Sequence, residues 1–165
     1  MPTRFQVLIP IGIAALIVGI AGVTTLPSEI KLEQVEFPRG TIMVDDKILE
    51  VQIADTEPRR VRGLMFQETL PMDQGMLFVF DESGPRSMWM LNMQFSIDIL
   101  WFDENGNLVS ISYDVPPCKT PAEIMACNSE GASTDNAKYA LEVTAGFVNE
   151  FQINENSKLE LISVH

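Results

Sequence analysis

Three groups of residues in this chain have types and spacings that could do chemistry. Met88, Met90 and Met93 cluster around Trp89; thioether sulfur is a soft ligand suited to Cu(I), and an indole face can shield a bound cation. No histidine or cysteine lies near them. Methionine also fills irregular gaps in a core, so packing is the expected role and no metal or other cofactor is assigned. The second group is the carboxylates Glu68, Asp98 and Glu142. Hydrolysis by two carboxyl groups needs them about 5 to 9.5 Å apart across a cleft. The structural alternative is that each accepts backbone hydrogen bonds or pairs with an arginine, Arg62 being the partner expected for Asp98 or Glu142. Nucleophile-plus-histidine chemistry is nearly closed, because the single histidine is the last residue, His165. The third group is the cysteine pair, Cys118 and Cys127. Their spacing is not C-x-x-C and no histidine adjoins them, so a structural disulfide is expected rather than thiol exchange. Closing a loop of about ten residues would stabilise by roughly 2 to 3 kcal/mol.

Binding asks for less than a reaction does. Trp89, Asn92 and Asp98 combine an apolar patch with a few polar groups, the composition of a small-molecule or peptide pocket. Buried without partners, the two polar side chains would each cost about 1 to 3 kcal/mol, so each must bond either a ligand or a neighbouring backbone. Together with Arg62 and Glu142 they form the expected ligand-binding set, and Arg86 is expected to bring positive charge to its rim.

The elements that must position these residues read mainly as β. ILEVQIA, residues 48–54, alternates, with Leu49, Val51 and Ile53 on one side. TEPRRVRG, residues 56–63, reads as a short helix with Thr56 as N-cap, Pro58 early and Gly63 at its end, its arginines in water. MLFVF, residues 76–80, has the continuous apolar character of a strand covered on both faces. A strand running on to Phe102 would turn Met93, Phe95, Ile97, Ile99 and Trp101 one way, and Asp98, Leu100 and Phe102 the other. DENGN, residues 103–107, is a hairpin turn leading into LVSISY. Residues 115–137 read as a long irregular excursion, YALEV as a strand, AGFVNEF as a helical turn and KLELI as the last strand. Seven or eight short strands with little helix predict a single sandwich or jelly-roll-like domain with one or two short helices.

Ahead of this domain, residues 7–26 carry no charge. About 20 apolar residues are what a helix needs to cross a bilayer core of about 30 Å. Arg4, the only charge before the run, places the N-terminus in the cytoplasm. The expected organisation is a membrane anchor over residues 1–27, a stalk over 28–40 and an outward-facing domain over 41–165. Secretion after signal cleavage is the alternative. Acidic residues outnumber basic ones 23 to 11, for a formal charge of -12. That balance repels phosphate backbones and excludes nucleic acid as a partner, leaving the membrane and a small-molecule or peptide ligand. The sequence leaves the oligomeric state open.

Several stretches taken together resemble the DUF192 family, also labelled UPF0127: RGLMF (62–66), GMLFVF (75–80), MWMLN (88–92), IDILWFD (97–103), PPC (116–118) and LEVTAG (141–146). The resemblance spans roughly residues 47–162. It implies a compact β-rich fold, often behind a signal or anchor, with no assigned reaction. Similar proteins tend to have Lys or Arg after the Trp-Met pair and Thr two places on, where this chain has Leu91 and Met93. A role toward an anionic ligand that depends on that cation is therefore not implied for this chain.

Overall fold

Alternation carries directly into structure in the first hairpin. Strand β1 (Arg39–Val44) and strand β2 (Lys47–Ala54) pair antiparallel around Asp45, and Ile42, Val44, Leu49, Val51 and Ile53 all turn to one side and are buried. The computed structural model describes residues 35–118, 123 and 132–164. The expected anchor, the stalk up to residue 34, Cys127 and His165 lie outside the described residues; among those described, no helix is long and apolar enough to cross a membrane.

Helix α1 (Glu57–Arg62) follows β2. Thr56 has the extended backbone of an N-cap but makes no side-chain capping bond, and Gly63 ends the helix at φ 47°. Strand β3 (Gln74–Met88) then lies parallel to β2, and α1 sits in the crossover that a parallel pair requires. Strand β4 (Ile97–Phe102), strand β5 (Leu108–Val115), strand β6 (Ala132–Thr144), helix α2 (Phe147–Glu150) and strand β7 (Leu159–Val164) follow among the described residues. The seven strands form one sheet in the order β5-β4-β6-β3-β2-β1-β7.

The expected sandwich is thus corrected to a single sheet that curls until its edges meet. β5 and β7 are the edge strands, and Asn107 bridges to Lys158 while the Leu159 N–H donates to the Gly106 carbonyl at 2.8 Å. Gly106 has φ 79°, and a Cβ there would run into the Leu159 carbonyl oxygen, so the closure requires glycine. The DENGN turn supplies it: the Asp103 carboxyl accepts from the backbone of Asn105 and Asn107 at 2.8 and 2.9 Å. Strand alternation defines two faces in either architecture and does not say whether the second layer is another sheet or the same one wrapped round.

Inside the curl, side chains from β1, β2, β3, β4, β6 and β7 pack with Phe147 and Val148 of α2. Outside it, Met76, Phe78, Ile97, Ile99, Trp101 and Ala140 form a second apolar layer, covered by Leu64, Leu70, Met88, Met90 and Met93. β4 is consequently buried at every position, and each large apolar side chain so placed contributes about 1.5 to 3 kcal/mol.

Two expectations about strand extent are also revised. β3 runs on through Asp81–Ser87, and β6 begins at Ala132 inside the expected excursion, because these polar stretches pair with each other from Gly84–Ala137 to Met88–Ala132. The strand expected to run through residues 87–102 is broken: Asn92 takes φ 58°, and only Ile97 onward belongs to β4.

Candidate functional site

The sheet register decides which carboxylates can meet. Glu142 on β6 is paired with Met76 of β3 and Ile99 of β4, and it faces outward; the next pair, Asp98 with Val143, faces the interior. Asp98 is 1% exposed and its carboxyl oxygens accept the N–H groups of Asp114, Gly146 and Val148 at 2.9, 3.1 and 3.0 Å. It ties the end of β5 to the start of α2. Asp98 and Glu142 therefore open onto opposite sides of one sheet, and no two-carboxylate centre forms from them. Glu68 is exposed on the connection after α1 and lines neither of the concavities described below.

Two connecting segments close over Glu142. The segment after α1 turns at Gly63 and again at Phe66 (φ 66°), and its Phe66 N–H donates to the Asn92 carbonyl at 3.1 Å. The segment after β3 is fixed from its other side by the Cys118 N–H, which donates to the Met90 carbonyl at 3.0 Å. Asn92, expected to meet a ligand, is instead the left-handed corner of this segment, with its amide 3.9 Å from the Met65 sulfur. It lines neither concavity.

Beneath these segments is a cavity of about 20 Å³ whose walls include Glu142, Phe78, Met88, Trp89, Leu91 and Met93. That is room for roughly one water. Glu142 is 4% exposed, and its Oε2 has no hydrogen-bond partner. Burial pushes its carboxyl up to about 8, so the acid is mostly protonated at neutral pH. Arg62 does not serve it: that guanidinium lies 4.7 Å from the centre of the Phe66 ring. Leu91 and Met93, the two departures from the pattern of similar proteins, both line this cavity and offer it no donor.

The same walls back onto a larger cleft of about 980 Å³ between α1 and the outer half of β3. Arg60, Val61, Phe78, Met88 and Trp89 line both spaces. Trp89 is 44% exposed and stands at the seam. Arg60, expected in water, reaches back to the Val79 and Asp55 carbonyls at 2.8 and 3.0 Å and lies 3.6 Å from both Glu57 and Asp81. Arg86 is part of the cleft wall rather than its rim, stacked 4.4 Å from the Phe80 ring centre and donating to the Glu82 carbonyl.

The structure thus brings together Trp89, Glu142 and the wall residue Arg62, and sets Asn92 and Asp98 apart from them. Sequence reasoning missed Arg60, Phe78 and Leu91. Of these only Leu91 carried a signal, as a departure from the family pattern. The methionines are core: all three are buried in the outer apolar layer, and the turn at Asn92 is what brings Met93 to the same side as Met88 and Met90.

The model for the family DUF192, described as "Uncharacterized ACR", matches residues 40–161. The chain belongs to DUF192. A crystal structure from Sinorhizobium meliloti 1021, described as a "putative transcription regulator", has the DUF192 chain's fold at TM-score 0.66 with 25% identity, covering 78% of this chain and 97% of that one. A protein of unknown function from Novosphingobium aromaticivorans DSM 12444 matches at TM-score 0.65 and 19% identity over 74% of this chain and 84% of that one, which speaks for the fold alone. No curated protein matches this DUF192 chain.

Proposed function

We propose that this DUF192 protein is a membrane-anchored, outward-facing binding domain whose cleft holds a small molecule or an extended peptide. The cleft supports the reading: about 980 Å³ falls in the volume range of small-molecule sites. An indole 44% exposed at its seam is the kind of rigid amphipathic surface that a ligand covers. Residues 1–27 hold the chain in the bilayer with the N-terminus inside, on the strength of the uncharged run 7–26; release after signal cleavage is the alternative. A Cys118–Cys127 bridge belongs to the same proposal, since disulfides persist outside the reducing cytosol. The formal charge of -12 gives no reason to extend a transcription role from the Sinorhizobium protein to this chain.

Screening a fragment library against the full chain in detergent tests the cleft. Hits are expected to change the fluorescence of Trp89 and to lose about tenfold or more in affinity when Trp89 becomes Ala, a loss of about 1.4 kcal/mol typical of a single interface aromatic. A chain that binds no fragment, or binds them equally well without the indole, would remove this reading. Compartment is checked separately: in isolated membranes neither cysteine is expected to take up maleimide until a reductant is added. Labelling of the native protein would sink the bridge and the outward topology with it.

A further inference from the structure

We infer that Glu142 and the walls of its cavity form an end-socket for a primary alkylammonium group that enters from the cleft, an assignment that rests on the cleft reading above. The geometry sets the size: about 20 Å³ admits one group of the bulk of water, and an ammonium tip is that size. Four of the five residues that line both the cleft and the cavity, Val61, Phe78, Met88 and Trp89, are apolar and the fifth is Arg60; the apolar four suit a chain of methylenes, and the Trp89 face can hold a cation passing it. At the end stands one unsatisfied acceptor, Glu142 Oε2, and an ammonium is donor-only.

The charges around the socket permit a cation to reach it. From α1, Arg60 and Arg62 line the cavity, but Arg60 is engaged by two carbonyls and two carboxylates and Arg62 by the Phe66 ring. β3 and β4 place Met76 and Ile99 beside Glu142, and the segment after β3 brings Met88, Leu91 and Met93, none of them charged. The cleft is lined by the exposed carboxylates Glu57, Asp81 and Glu82 and, beside Arg60, by one further cation, Arg86, which stacks on Phe80 and donates to the Glu82 carbonyl. Beyond these carboxylates an incoming ammonium meets the buried Glu142 carboxyl, whose Oε2 has no hydrogen-bond partner. On binding, the Glu142 O–H proton goes to solvent and the carboxylate so formed pairs with the ammonium, which keeps its own protons.

Two sources share this chemistry, the lysine side chain of an extended peptide and a free diamine. The test titrates an Nα-acetylated peptide amide with one lysine, and separately 1,5-diaminopentane, into the full chain by calorimetry at pH 7 and pH 9. Each amine stays charged at both values. With Glu142 near 8, affinity is expected to be about tenfold higher at pH 9 than at pH 7, and two buffers of different ionisation heat should report about one proton released at pH 7. Glu142→Gln is expected to abolish both the binding and the release, while Glu68→Gln leaves them unchanged. The tighter of the two probes names the source. Absence of amine binding, binding with no pH slope, or binding equal in Glu142→Gln would overturn the socket. Uncharged fragments that still quench Trp89 in that event would leave the cleft reading standing.

Discussion

Replacing Glu142 with glutamine is expected to remove a loss of stability that the parent domain suffers between about pH 4.5 and pH 8. In the unfolded chain this carboxyl titrates near 4.5, whereas burial in the fold pushes it up to about 8. Between those values the folded state keeps a proton that the unfolded state has released, so stability falls as pH rises, and the full contribution is present only on the acid side. Carried to pH 9, the difference amounts to roughly 4 to 5 kcal/mol, against a total of about 5 to 15 kcal/mol for an ordinary domain. Glutamine has no proton to lose, so the Glu142→Gln slope should be flat across this window. Its extra amide N–H, unpartnered in the cavity, costs about 1 to 3 kcal/mol at every pH. The curves therefore cross, with the parent more stable near pH 5 and the variant more stable near pH 9. Leu91→Lys should flatten the slope by another route, since a side chain already in the cavity wall would give Glu142 a cation and let it ionise inside the fold. Asp103 works in the opposite sense and lower down. Burial opposes its ionisation, but hydrogen bonds from Asn107 and Asn105 outweigh that and hold it below its ordinary value, so its contribution is lost only as pH falls through the acid range. Urea unfolding at pH 5, 7 and 9 followed by tryptophan fluorescence reads all of this. An alkaline slope that survives in Glu142→Gln would mean that some other group carries it.

What the sequence revealed about this fold is what local chemistry controls. The alternation of Leu49, Val51 and Ile53, the unbroken run at Met76–Phe78 and the DENGN turn each depend on neighbours a few positions away, and each was legible. The outer halves of β3 and β6 were not. Asp81–Ser87 and Ser133–Asn136 have turn-like composition and become strand only because they pair with one another, a tertiary effect that overrides propensity. Helical phase hid Arg60, since only the placed helix shows that this arginine, and not Arg62, points back toward the Val79 carbonyl. Glu142 was legible as a candidate, but its isolation was not: the segments that bury it come from Arg60–Met65 and Met88–Met93, far away in the chain. Parity along β4 separates Asp98 from Ile99, yet which of them shares a side with Glu142 depends on the β4–β6 register, and no single strand contains that information.

Asp98→Ala is expected to cost at least roughly 4 kcal/mol and to leave the domain largely unfolded at 37 °C. Three backbone N–H groups, from Asp114, Gly146 and Val148, donate to this one carboxyl. The Val148 N–H, buried and left without an acceptor, costs about 1 to 3 kcal/mol, the part-buried Asp114 and Gly146 bonds add to that, and removal of the carboxyl also leaves a void in the interior next to its buried cross-strand neighbour Val143. Gly146 and Val148 share one oxygen, Oδ2, while Asp114 uses the other. Asp98→Asn can therefore keep the first pair on its amide oxygen, but it turns an NH₂ toward the Asp114 N–H, donor against donor, and a loss of about 2 to 3 kcal/mol is expected. The graded series separates a fold-supporting carboxyl from a functional one. A ligand-binding aspartate loses binding on amidation while the fold survives; here the fold weakens, and the cleft, which lies on the other side of the sheet, should bind its fragments with unchanged affinity per folded molecule. Melting curves of the two variants beside fragment titrations of Asp98→Asn make the comparison. If Asp98→Asn melted with the parent yet lost the fragments, Asp98 would have to be returned to the binding set and its three amide bonds could not be its main role.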